Sequence, residues 1–253
     1  MTLLRQLWLL FRRRMLETMR QPVWIVVGLS TPLLYLAFFA PLLKPLAGGP
    51  GFGQGSVLDV FVPGILALMA FGAGTGAGWI VIGELDAGVI ERLRVTPVSR
   101  FALVVGTALR DVVMLVVPAL IVVVAALPFG FHAHWLGIAV LMVLLSLVTA
   151  VTSATSSALG IIMRQIGSLA AIWTGLNLPI LLLAGVLLPL SLAPGWMRLL
   201  AHLNPLYYVV QASRDLAAGT ITSWTVGQGF LVMTLLTILV LWWSTRTYRC
   251  AVA

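Results

Sequence analysis

Charged positions divide this chain into long uncharged intervals. No Asp, Glu, Lys or Arg occurs between Arg20 and Lys44, Asp59 and Glu84, Asp111 and Arg164, Arg164 and Arg198, or Asp215 and Arg246. A transmembrane helix needs about 20 mostly apolar residues to cross about 30 Å of hydrocarbon. The interval after Asp111 is too long for one crossing, and the turn-rich island Pro128-Phe-Gly-Phe-His-Ala-His134 splits it. The pattern therefore predicts six spans, at about 22–43, 57–82, 104–127, 135–161, 168–190 and 226–243. Before the first of them, Leu4, Trp8, Phe11 and Met15 recur at helical spacing beneath Arg12-Arg13-Arg14. This is the pattern of an amphipathic helix lying in the membrane interface, its arginines meeting anionic headgroups. The apolar run that follows exceeds a signal-peptide core and no A-x-A site follows it, so the segment reads as retained. The expected organisation is an interfacial helix over 1–21 and a six-span domain over 22–253, an all-α membrane protein.

Composition agrees and narrows the function. Hydrophobic residues make up 61% and charged residues 9% of 253, with mean hydropathy +1.10. A soluble domain is about 45–50% apolar and roughly 25% charged, so a soluble enzyme, a disordered chain and a disulfide scaffold are excluded. Bases outnumber acids 15 to 7, and all but Lys44 are arginine. No soluble face clusters them for nucleic acid; they report topology instead. With the N-terminus inside, only Lys44, Arg198 and Arg214 fall in outer segments, so both termini face the cytoplasm. The single Cys250 offers no disulfide and no metal cluster.

Three segments exceed what plain spans require. The loop after span two, from Gly83 to Arg100, is the most polar stretch of the chain. Glu84 to Arg94 can form a short helix with Glu91 and Arg94 on one surface, and Thr96-Pro97 stops it. Glu84, Asp86, Glu91, Arg92, Arg94, Thr96 and Pro97 thus form a candidate docking element for a cytoplasmic partner, against the plainer reading of a solvated loop. Between spans five and six, Pro194, Trp196, Asn204, Pro205 and Tyr207 punctuate an apolar stretch whose pieces 196–203 and 206–218 are too short to cross. These read as re-entrant or interfacial helices with aromatic residues at headgroup level. Finally, Arg110-Asp111 lies near the start of span three. At that shallow depth it reads as an inner-membrane ion pair that could snorkel, structural or contacting the loop, against a substrate or proton site.

Residues Leu85-Asp-Ala-Gly-Val-Ile-Glu-Arg-Leu-Arg-Val-Thr-Pro-Val-Ser-Arg100 resemble the signature of permease subunits of type 2 ABC exporters, the daunorubicin-resistance and nodulation-export group in particular. Asn204-Pro-Leu-Tyr-Tyr-Val-Val-Gln-Ala-Ser-Arg-Asp-Leu-Ala-Ala-Gly219 is similar to that family's segment before its last span. The resemblance implies that the loop between spans two and three is a coupling helix seated in a cleft of an ATPase subunit. It implies two ATPase copies carrying ATP and Mg, and a second permease, the same chain or a sister. It also implies the interfacial N-terminal helix and re-entrant outer helices reached above from composition.

The remaining motifs fit a transport subunit. No G-x-x-x-x-G-K-[ST] occurs, so the chain itself holds no nucleotide, and no cofactor is expected on it. Gly72-Ala-Gly-Thr-Gly-Ala-Gly78 offers small-xxx-small faces for close helix approach. Thr149, Thr152, Ser153, Ser156 and Ser157 share one face of span four; it lines a translocation path or bonds neighbouring helices. His132, His134 and His202 fall in outer segments with no acid beside the first pair, a weak metal signal. Pro32, Pro63, Pro118 and Pro179 sit within spans, where neighbours re-satisfy the backbone. No H-E-x-x-H or G-x-S-x-G is present, so no catalytic residues are assigned. The expected function is an exporter permease in a bacterial cytoplasmic membrane, moving an amphipathic drug, lipid or natural product among membrane lipids. The alternative is a proton-coupled transporter using Arg110 and Asp111.

Overall fold

The computed structural model describes residues 3–20, 22–43, 57–89, 99–186, 190 and 193–252. Among these every regular element is a helix: α1 (Leu3–Met19), α2 (Pro22–Leu43), α3 (Val57–Thr75), α4 (Ala77–Asp86), α5 (Arg100–Ala126), α6 (Trp135–Met163), α7 (Ile166–Ala184), α8 (Gly195–Ala201), α9 (Pro205–Ala217) and α10 (Trp224–Val252). Five stretches of the described residues are long and apolar enough to cross a membrane: Val57–Asp86, Arg100–Phe129, Trp135–Met163, Ile166–Ala184 and Trp224–Cys250. α2 adds a shorter apolar run, Val26–Phe39. The two short pieces expected before the last span are present as α8 and α9.

Two differences from the sequence reading bear on function. Span two is not one helix, because α3 and α4 meet at a break on Gly76. Nor does a new helix begin at Glu84; α4 runs through Glu84 to Asp86 and turns at Ala87 and Gly88. Glu84 therefore belongs to the last turn of span two. The segment expected to carry Glu91, Arg92, Arg94, Thr96 and Pro97 lies outside the described residues.

α6 is the central helix, with α3, α4, α5 and α10 packed around it. Glycine makes the closest of these contacts. A Cβ on Gly74 would stand 2.1 Å from Thr152 Oγ1, and one on Gly78 would stand 2.3 Å from the Ser156 carbonyl oxygen. From the other side, a Cβ on Gly160 would meet the Gly78 carbonyl at 2.6 Å. The backbones touch, as small residues at i,i+4 permit in membrane helices. Gly72 and Gly76, on the opposite face, would meet nothing within 4 Å. α7 contrasts with α6: of its residues Leu169 and Ala184 are buried, Trp173, Ile180 and Leu181 pack part-exposed against the core, and most of the remainder is exposed.

The two glycine faces predict opposite outcomes. Gly78→Ala places a methyl group against backbone, and we expect it to lower stability by about 1–3 kcal/mol. Gly72→Ala meets open space and gains helix propensity, by up to about 1 kcal/mol. Thermal unfolding of the two variants in one detergent checks the sign of each.

Candidate functional site

The polar residues of the chain converge where α1 crosses the ends of α4, α5 and α10. α1 is built for this place. Leu4 and Trp8 remain exposed, while Leu10 packs against Gly106 of α5, where an added Cβ would lie 3.1 Å from the Leu10 Cβ. Arg13, Arg14 and Glu17 share a surface by helical spacing and reach α4. Arg13 Nη2 donates to Glu84 Oε1 at 3.2 Å, and Arg14 Nη2 to Glu84 Oε2 at 2.5 Å. Glu17 braces both arginines, accepting from Arg13 Nε at 2.9 Å and Arg14 Nη1 at 3.4 Å.

Exposure ranks these pairs. The Arg13 and Glu17 side chains are 43% and 47% exposed, so their bond is screened by solvent. Those of Arg14 and Glu84 are 11% and 14% exposed, and there the attraction is large. Burial works against the Arg14 charge; the Glu84 carboxylate outweighs it and raises the affinity of the guanidinium for its proton. Asp86, one turn-half further on, is exposed and makes no ion pair among the described residues.

α1 also holds the far stem of the same loop. The backbone N–H of Ser99, immediately before α5, donates to Gln6 Oε1 at 3.1 Å. Both ends of the segment between α4 and α5 are thus fastened to one helix, Glu84 through the arginines and Ser99 through Gln6.

From α1 the bonds continue into the bundle. Thr18 Oγ1 donates to the Arg14 carbonyl at 3.0 Å and accepts from Arg110 Nε at 2.8 Å. Arg110 pairs with Asp111 Oδ1, and Ser153 Oγ donates to Asp111 Oδ2 at 2.6 Å. The Arg110 side chain does reach towards α1, but Asp111 has no exposed surface and points at α6 rather than snorkelling.

The hydroxyl face of α6 is buried, and part of it bonds to neighbouring helices. Ser156 Oγ serves the break in span two: it donates to the Thr75 carbonyl at 2.5 Å and accepts from the Gly78 N–H at 3.1 Å. Trp173 Nε1 of α7 donates to the same oxygen at 3.2 Å. Thr149 Oγ1 donates to the Ala70 carbonyl at 2.9 Å, and Thr152 Oγ1 to the Val148 carbonyl at 3.1 Å. Thr149, Ser153 and Ser156 thus bond α6 to other helices, while Thr152 bonds within its own.

At the opposite end, Asn204 caps α9 and ties it to α7. Its Oδ1 accepts from the Leu206 N–H at 3.0 Å and its Nδ2 donates to the Ile180 carbonyl at 2.7 Å. Pro205 occupies the first helical position, where no donor is needed. Pro194 precedes α8, Trp196 is 65% exposed, and Tyr207 packs edge-on to His202. Arg214 donates to the Gly185 carbonyl at 2.7 Å and the Val60 carbonyl at 3.4 Å, joining α9 to α7 and α3. Burial pushes its guanidinium down to about 10, so it stays charged at neutral pH. The sequence placed no acid beside His132, but the fold does: Asp59 Oδ1 accepts the His132 backbone N–H at 3.1 Å, with Oδ2 3.5 Å from Nδ1. No group of three His, Cys, Asp or Glu residues suited to a metal occurs among the described residues.

Arg13, Arg14, Gln6, Glu17 and Thr18 escaped the sequence reading as partners of the loop. Their spacing shows a charged helix face, while the acid that completes it lies some seventy residues away. We expect Arg14→Ala and Glu84→Ala each to cost about 2–4 kcal/mol, the double variant costing less than their sum. Arg13→Ala should cost no more than about 1 kcal/mol. Unfolding midpoints across the double-mutant cycle check both statements.

Comparison with known proteins places this architecture. The chain is 26% identical over 215 residues to a putative transport permease ycf38 of Cyanophora paradoxa, covering 84% of this chain and 74% of that protein. It is 28% identical over 220 residues to the ycf38 permease of Pyropia yezoensis, covering 85% and 75%. Against the daunorubicin resistance ABC transporter permease protein DrrB1 of Streptomyces coeruleorubidus, identity is 26% over 219 residues, covering 85% and 76%. The ABC-2 type transporter family model matches residues 5–217, from α1 to the end of α9. With helices suited to crossing a bilayer and this match over most of its length, the chain belongs to the ABC-2 type transporter family, as a multi-pass membrane permease.

Proposed function

We propose that this chain is the membrane subunit of an ATP-driven exporter, worked by a separate P-loop ATPase through the segment between α4 and α5. The observation that carries the reading is the double fastening of that segment to α1, at Glu84 and at Ser99. A force applied to the loop reaches α1 through both stems, α5 through Arg110, and span two at Glu84. The break at Gly76 gives α4 a pivot relative to α3, with Ser156 as its pin. Two ATPase copies and a second permease, identical or sister, complete the machine, and ATP and Mg belong to the ATPase.

Among the described residues Asp111 is the charged side chain with no exposed surface, and both its oxygens are engaged; the part-buried Arg214 is spent on backbone carbonyls. A charged cargo wants matching charges along its path. An amphipathic drug, lipid or natural product fits better, in keeping with the daunorubicin resistance named for one relative. The engaged state of Asp111 also speaks against a proton relay there. The membrane is the cytoplasmic membrane of a bacterium, with both termini inside by the arginine bias.

Affinity purification of the tagged chain from its native membrane should retain a P-loop ATPase; a preparation without one overturns the reading. In the assembled complex, Glu91→Arg with Arg94→Glu should depress stimulated ATP hydrolysis and transport together. Wild-type rates of both would remove the loop from the coupling. Gln6→Ala, which releases the Ser99 stem, should reduce transport more than hydrolysis, read as cargo moved per ATP in proteoliposomes.

A further inference from the structure

Beyond the coupling end, the bundle holds a cavity of about 360 Å³ between α3, α6, α7, α10 and the turn joining α8 to α9. That size lies within the ordinary range of ligand sites, roughly 300–1,000 Å³. Its floor is Phe71, Val148, Val151 and Met233, all buried. Its lip is Leu200 and Leu203, 42% and 81% exposed.

The polar accounting decides what fits. Among the described residues, two polar side chains line the space, Thr152 and Asn204. Thr152 Oγ1 donates to the backbone of its own helix, and Asn204 uses its oxygen on Leu206 and its nitrogen on Ile180. Water needs two to four polar partners to reside in a protein interior, and the space offers only the spare valences of these two side chains. A ligand bearing buried hydrogen-bonding groups would leave them unpaired.

The mouth decides where the occupant comes from. The exposed leucines of the lip continue into outward-facing Leu178 and Leu182 of α7, a surface with the character of a hydrocarbon contact. Beside the same turn Tyr207 packs edge-on to both His202 and Tyr208, and Trp196 stands exposed on α8. Trp and Tyr mark headgroup depth. An amphiphile entering here puts its tail among the leucines and its head beside the aromatic turn. We infer that the cavity is a binding site for one acyl chain of a bilayer phospholipid, which wedges the α8–α9 hairpin against the bundle. This goes beyond the exporter reading and rests on the chain being a membrane protein.

Photolabelling tests it on the full-length protein, reconstituted into phosphatidylethanolamine–phosphatidylglycerol vesicles with a phosphatidylcholine bearing a diazirine at one acyl terminus. Adducts should form at Met233 and Leu236 several-fold more than at Leu231 and Leu235, which lie exposed on the same helix. Leu183→Trp, or the milder Leu236→Phe, should suppress cavity adducts while labelling at Leu231 and Leu235 persists and reports an intact fold. Equal labelling of the two pairs, or cavity adducts unmoved by both substitutions, overturns the site. Displacement of cavity adducts by rhodamine 6G with the exposed adducts intact assigns the space to a soluble amphiphile and overturns the lipid.

Discussion

A backbone group without a hydrogen-bond partner is tolerable in water and ruinous in hydrocarbon, where it costs several kcal/mol. The break of span two at Gly76 exposes two such groups, the Thr75 carbonyl and the Gly78 N–H, and one hydroxyl on α6 satisfies both. That bond requires α6 to lie against α3 and α4 at backbone contact, which Gly74, Gly78 and Gly160 permit. The kink, the glycines and Ser156 are therefore one device. Arg214 performs a comparable service at the other end, meeting carbonyls of α7 and α3 with a single guanidinium.

Charge is handled by the opposite strategy. Polar bonds inside the bundle tie α6 to its neighbours, whereas the ion pairs of Arg13 and Arg14 lie on α1 at its edge. The run from Glu84 through Arg14, Thr18 and Arg110 to Asp111 and Ser153 passes through α4, α1, α5 and α6 without a gap. Continuity of contact is a mechanical precondition for moving these helices together; by itself it is not a measure of coupling. In the proposed exporter, α1 becomes a bracket around the loop rather than a passive anchor.

Much of this was legible in one dimension. Uncharged intervals located five helices long and apolar enough to cross, because hydrocarbon depth sets their length, and the two short apolar pieces before the last of them form α8 and α9. The break at Gly76 was hidden: a glycine run reads equally as packing surface and as weak helix, and only Ser156 on another helix distinguishes them. The hydroxyls of α6 announced a polar face but not its partners, since Thr75, Ala70 and Asp111 reach it through tertiary approach. Arg13 and Arg14 looked like topology signals, and Asp59 like an ordinary span-starting acid. Each acquires its role from a residue remote in sequence.

The separation of Arg14 from Glu84 has a consequence for how the molecule is made. Synthesis delivers α1 before span two, and until Glu84 emerges Arg13 and Arg14 share the single carboxylate of Glu17 on their own helix. Glu84 then supplies a second carboxylate from another helix, and its arrival joins α1 to span two.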